Sequence, residues 1–215
     1  MTVHTVDRRG NRSATLASLA GPALLLAGSL IVLSQLAVWP LRRGPVLVAV
    51  TSPVYVVAMT GFLVGIWVLL IGVFAVHSRH ARQAGTFGLV ALVAAALGLA
   101  HMAANVWFDT FVVPWLARQI PAALEVPRDG TLVIGALLSY LMLSVGWILF
   151  GIACFRTQVV PRLLAVCVIV AGLLGYVFLP PNSIVFGAVV LALGVWLTRH
   201  RPNEPDAQDQ AQLRR

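Results

Sequence analysis

His101, Asn105 and Asp109 recur at four-residue intervals along an otherwise apolar stretch. On a helix that spacing places an imidazole, an amide and a carboxylate along one stripe, an arrangement suited to holding a polar ligand or passing a proton. Tyr140 and Gln35, in two other apolar stretches, fall at comparable depth, as do Ser34, Thr60, Ser139 and Asn182. These positions predict a polar cluster near one surface, with His101, Asn105, Asp109, Tyr140 and Gln35 as candidate ligand-binding residues. A structural role is the plainer alternative, since polar side chains hydrogen-bond across membrane helices for ~1 kcal/mol each. No nucleophile or metal ligand stands beside His101, so no catalytic residue is assigned.

The acidic residues are as informative for where they do not occur. Asp7 lies near the amino terminus, Glu204, Asp206 and Asp209 near the carboxy terminus, and Asp109, Glu125 and Asp129 in one connecting segment. None falls in the middle of an apolar stretch, where coupled transporters and proton relays place ionisable groups. A small transporter or permeation component is therefore the second reading, and an intramembrane enzyme the third. His77 and His80 stand three apart, but in a basic segment without neighbouring carboxylates or cysteines, so a solvated loop is expected there, not a zinc site. Haem held between helices needs paired histidines, and His101 is alone in the apolar stretches. Cys154 and Cys167 are too far apart for a CxxC redox motif and read as small apolar side chains. No cofactor and no metal is expected.

Those residues need elements to carry them, and composition says which medium the elements meet. Of the 215 residues 60% are hydrophobic and 10% charged, against about 25% charged in soluble domains. Several apolar runs approach the ~20 residues that cross a bilayer. All fifteen basic residues are arginine, and the net charge of +8 is spread singly or in pairs at the ends of these runs. That is a topology signal, not a nucleic-acid footprint, and no nucleic-acid partner is expected.

The expected fold is all-α, a polytopic transmembrane bundle of six spans. A basic cytoplasmic tail, 1–13, precedes spans at about 14–39, 53–76, 86–107, 132–155, 162–179 and 183–198, and a polar cytoplasmic tail, 199–215, follows. The first span is too long for a signal-peptide core and lacks a small-residue cleavage site, so it is expected to stay as an anchor. Pro180-Pro181-Asn182 divides 161–198 into a hairpin. One tilted helix there would leave five spans. With six, eleven arginines fall on one side and Arg42, Arg43, Arg118 and Arg128 on the other, which places both termini in the cytoplasm.

The outer loops carry apolar residues, Val46 to Val50 in one and Phe111 to Leu116 in the other, and should lie in the interface. Arg42 and Arg43 are expected to pair with Asp109, Glu125 or Asp129 across these loops. Such pairs would form a cap of ~0–1 kcal/mol per pair. Gly61 and Gly65 form a small-xxx-small pattern that serves either internal packing or a homodimer. The lipid bilayer is the one partner the composition demands; a membrane-protein partner is compatible with it.

The run Phe108-Asp109-Thr110-Phe111-Val112-Val113-Pro114-Trp115-Leu116-Ala117, then Gly146-Trp147-Ile148-Leu149-Phe150-Gly151 and Val160-Pro161-Arg162, resembles an uncharacterised family of multi-helix integral membrane proteins of high-GC Gram-positive bacteria. The resemblance covers about half the chain. It implies a bacterial plasma-membrane protein without an assigned reaction and transfers no catalytic residue. The combined expectation is a non-enzymatic accessory, scaffold or small-ligand-binding membrane protein with an outward polar cluster.

Overall fold

The structure, a computed structural model, describes residues 17–126, 130–175 and 181–200. The leader with Arg8, Arg9 and Arg12, the loop residues Arg128 and Asp129, Pro180 and the tail from Arg201 lie outside them. Among the described residues the fold is all-helical, 91% helix with no strand. Its elements are α1 (Ala20–Val38), α2 (Val46–Thr51), α3 (Pro53–Trp107), α4 (Val113–Gln119), α5 (Gly130–Thr157), α6 (Arg162–Leu174) and α7 (Asn182–Arg199).

Among the described residues four segments, Ala20–Arg43, Pro53–Gln119, Gly130–Thr157 and Asn182–Arg199, are long and apolar enough to cross a membrane. The 13 residues of α6 rise about 20 Å, short of the ~30 Å hydrocarbon core. The exterior fits lipid: Leu33, Val57 and Leu163 are 64%, 73% and 77% exposed, and contiguous apolar surface of this kind is unfavourable in water.

Within α3 the chain turns back on itself. Gly85 has φ 56° and ψ −151°, a region essentially closed to side-chain-bearing residues. A Cβ on Gly88 would lie 3.6 Å from His77 Cε1, and at the far end the Tyr55 hydroxyl reaches the Asp109 carbonyl. The arms 53–84 and 86–107 are therefore antiparallel. The polar loop expected at His77–Gly85 reduces to the single residue Gly85. The intervening Arg, Ala and Gln residues are good helix formers, so the first arm continues past its apolar part until glycine ends it.

Glycines set the remaining contacts. Added Cβ atoms on Gly65 and Gly72 would meet Ile31 and Leu24 of α1 at 3.1 and 2.8 Å. On Gly28 and Gly194, between α1 and α7, they would fall 2.6 Å from Leu191 N and 2.5 Å from Leu25 N. Gly98 and Gly146 join the arm 86–107 to α5, and Gly151 and Gly172 join α5 to α6. The residue pairing runs antiparallel at each contact. With α6 against α7, α1, the two arms, α5, α6 and α7 make a ring in chain order. Gly61 and Gly65 both face α1, at Ser34 and Ile31, so the small-xxx-small pair serves internal packing.

The ring is filled. Trp147 of α5 lies 4.8 Å from Phe186 of α7 and 5.5 Å from Phe150, between ring centroids, and all three are buried. Trp147 Nε1 and Ser144 Oγ sit in this interior without hydrogen-bond partners among the described residues. At one end of the ring Arg79 donates from Nε to the Ala17 carbonyl (2.9 Å) and from Nη1 to the Leu197 carbonyl (3.3 Å). Arg82, Arg156, Arg162 and Arg199 share that end, while Arg42, Arg43, Arg118 and Glu125 lie at the other. There Arg43 sits over the Trp39 ring at 5.9 Å, on its own side of the proposed cap.

Two alanine substitutions separate close packing from generic helix effects. A Cβ on Gly146 would overlap the Ala94 carbonyl oxygen and lie 2.7 Å from Ala95 Cα, whereas one on Gly135 meets nothing within 4 Å. Gly146→Ala is expected to destabilise by about 1–3 kcal/mol. Gly135→Ala is expected to stabilise by about 0.5–1 kcal/mol. Thermal unfolding of both variants in one detergent checks this, and coincident melting curves would contradict the packing described.

Candidate functional site

A proline shapes the region around Asp109. Phe108–Val112 form a π-helical turn between the end of α3 and α4, in which the Val113 N–H donates to the Phe108 carbonyl. Continued by one residue, that pattern would direct residue 114 to the Asp109 carbonyl. Residue 114 is proline and has no N–H to give. The Tyr55 hydroxyl donates to the Asp109 carbonyl instead, at a long 3.4 Å. One residue on, the Thr110 hydroxyl donates to the Val106 carbonyl. Widened turns of this type recur at functional sites because they re-aim side chains without ending the helix. The outer loop expected from Phe108 thus begins as helix and stays so to Gln119.

Beside the turn lies a groove of about 250 Å³ between the end of α3 and the start of α5. Asn105, Asp109 and Tyr140 are its polar lining; Phe108, Leu132, Val133, Ala136 and Leu137 are its apolar walls. A carboxylate only accepts hydrogen bonds when ionised, an amide both donates and accepts, and a phenol donates readily. The set suits a ligand head rich in donors or positively charged, with hydrocarbon against the walls.

Three of the five candidate residues meet there, and two do not. His101 is exposed on the arm's outer face, with Nδ1 3.0 Å from the Leu97 carbonyl, and does not line the groove. A four-residue step overshoots a helical turn by about 40°, so His101 and Asp109 diverge by about 80° before the π-turn adds its own rotation. Gln35 is buried in a different helix pair, where its Oε1 accepts from Ser183 Oγ at 3.2 Å. That contact joins α1 to α7. Ser139 and Thr60 return their hydroxyls to carbonyls of their own helices, Gly135 and Val56. The groove's apolar walls and the part played by Tyr55 are not marked by residue type or depth in the sequence. Pro114, five residues beyond Asp109, was the available signal.

His77 and His80 pack as a pair, ring centroids 5.5 Å apart and 72° between planes. His80 is 2% exposed, its Nδ1 2.9 Å from the Val76 carbonyl and its Nε2 without a partner among the described residues. The segment expected to be a solvated loop is instead a helix end, in which His80 is buried while Ala81, Arg82 and Gln83 stay exposed. Among the described residues, no group of three or more His, Cys, Asp or Glu is placed to hold a metal. Compared with known protein families, curated proteins and solved structures, the chain matches none.

Burial lowers the His77 pKa, and pushes that of His80 down from 6.5 to about 4. A depressed folded pKa means that the buried neutral imidazole contributes stability fully present above pH 6.5 and lost as pH falls toward 4. Stability is expected to drop on the order of 2 kcal/mol between pH 7 and 4.5 through His80. His80→Leu, which keeps the volume and cannot titrate, should flatten that dependence. An equally steep dependence in His80→Leu would assign the effect elsewhere.

Proposed function

We propose that this is a non-enzymatic plasma-membrane protein of a bacterium, crossing the bilayer six times with both termini in the cytoplasm. Its groove at Asn105, Asp109 and Tyr140 opens outward and binds a small amphiphile with an amine or hydroxyl-rich head. The observation that carries the binding reading is the groove itself, three polar side chains from two helices converging over apolar walls. Pockets that bind small molecules have this make-up, a mostly apolar lining with a few placed polar groups.

The antiparallel alternation of neighbouring rods supports six crossings, with the reversal at Gly85 dividing α3 into two. Arg79, bonded to Ala17 and Leu197, brings both described chain ends to one face. The arginine excess on that face supports a cytoplasmic assignment. The filled interior around Trp147 and Phe186 favours a static scaffold over a transporter, which needs a path through the bundle.

Two measurements test this reading. Membrane-impermeant thiol labelling of intact cells, in a background without Cys154 and Cys167, should modify cysteines placed at Arg43 and Glu125 and spare ones at Arg82 and Arg199. The reverse pattern overturns the orientation. For the groove, octylamine should raise the melting temperature of the purified chain while octanoate does not. Asp109→Asn and Tyr140→Phe should lose most of the shift, and His101→Ala should keep it. An undiminished shift in Asp109→Asn eliminates the groove as the binding site.

A further inference from the structure

The arginine-rich end holds a second cavity, of about 160 Å³, separate from the outward groove. Gln83, Ala84 and Phe87 line it from the Gly85 reversal, and Ala153, Arg156 and Thr157 from the end of α5. The Arg156 guanidinium carbon lies 5.0 Å from the centre of the Phe87 ring. A guanidinium stacked on an aromatic face is held in orientation, while its N–H edge stays free to form paired hydrogen bonds with an oxyanion.

The remaining polar groups agree in sign. Gln83 brings an amide with two N–H donors. Thr157 Oγ1 already donates to the Ala153 carbonyl at 2.8 Å, leaving it as an acceptor for a water or a protonated ligand oxygen. Among the described residues no carboxylate lines the cavity, and the described carboxylates Asp109 and Glu125 are at the opposite end. Three helix termini meet here, the arm 86–107 with its positive end and the arm 53–84 and α5 with their negative ends, so the backbone dipoles give an anion no net help. The formal charge of Arg156 therefore decides, and Arg79, Arg82 and Arg162 around the same end add to it.

We infer that this cavity binds a phosphate group, supplied by an anionic lipid headgroup or by a soluble phosphate compound. Basic clefts between helix ends at a membrane surface take phosphodiester headgroups by this chemistry. The proposal is independent of the outward groove.

Thermal unfolding of the full chain in a neutral maltoside detergent tests it, with short-chain phosphatidylglycerol in one arm and inorganic phosphate in the other. Wild-type protein is expected to be stabilised in at least one arm. A response to the lipid alone identifies a headgroup site, and a response to inorganic phosphate identifies a soluble ligand. Arg156→Gln should weaken the apparent affinity at least five-fold and Arg156→Lys restore part of it. Gln83→Ala, at an exposed position, should weaken it measurably without disturbing the fold. Arg199→Gln, at the same end but outside the cavity, should leave it unchanged. Stabilisation in neither arm overturns the inference, and so does an equal loss in Arg156→Gln and Arg199→Gln, which would make the attraction a property of the whole basic face.

Discussion

Lipid gives two helices little reason to adhere, because hydrocarbon chains cover an apolar helix face as well as another helix does. What holds this bundle together is close backbone approach, and glycine is what permits it. Gly28 and Gly194 seat α7 on α1, Gly65 and Gly72 seat α1 on the first arm of α3, Gly98 and Gly146 seat the second arm on α5, and Gly151 and Gly172 seat α5 on α6. At each contact a single methyl group would displace a neighbour. Dispersion forces decay steeply with separation, so a contact opened by a methyl loses much of its attraction outright. The groove, the arginine-rich end and the filled centre all take their shape from these contacts.

Much of this frame was legible in the sequence because the bilayer imposes a length and a hydropathy on whatever crosses it. The starts expected near Pro53, Arg162 and Ser183 fall within a residue of the observed ones, since proline, or the end of an apolar run, fixes each of them. The glycine contacts were not legible beyond Gly61 and Gly65. A contact such as Gly98 against Met142 is a relation between two helices, and no spacing within either one encodes it. The segment His77–Ala84 was misjudged for a different reason. Charge marks where a helix leaves the apolar zone, but a helix leaves that zone without ending, and here it ends only where Gly85 adopts a backbone conformation other residues avoid.

The candidate site divides along similar lines. Asn105, Asp109 and Tyr140 were identified from residue type and depth alone, and they do line one groove. His101 and Gln35 share that depth but not that direction. Depth follows from hydropathy, whereas direction depends on helical phase, and phase accumulates error at about 40° for every four residues. The π-turn after Trp107 then shifts the register again, and its cause, the missing donor of Pro114, is visible in the sequence only to a reading that asks where each backbone hydrogen bond goes.

Interlocked backbones also bear on what the bundle can do. Alternating access requires one set of helices to rock or slide against another, and each such movement here would separate contacts in which a Cβ would find less than 3 Å of clearance, at Gly28, Gly98 and Gly194 among others. The interior adds to the resistance: Trp147 of α5 packs on Phe186 of α7 across the ring, a contact that relative movement of its two sides would open. The buried Trp147 Nε1 and Ser144 Oγ, without partners among the described residues, are a cost of roughly 1–3 kcal/mol apiece that the packing around them offsets. Among the described residues the two polar-lined cavities lie at opposite ends, a groove with a carboxylate at one and a cavity with a stacked guanidinium at the other, joined by a largely apolar body. That division favours a protein that holds ligands or partners at its surfaces over one that carries a solute between them.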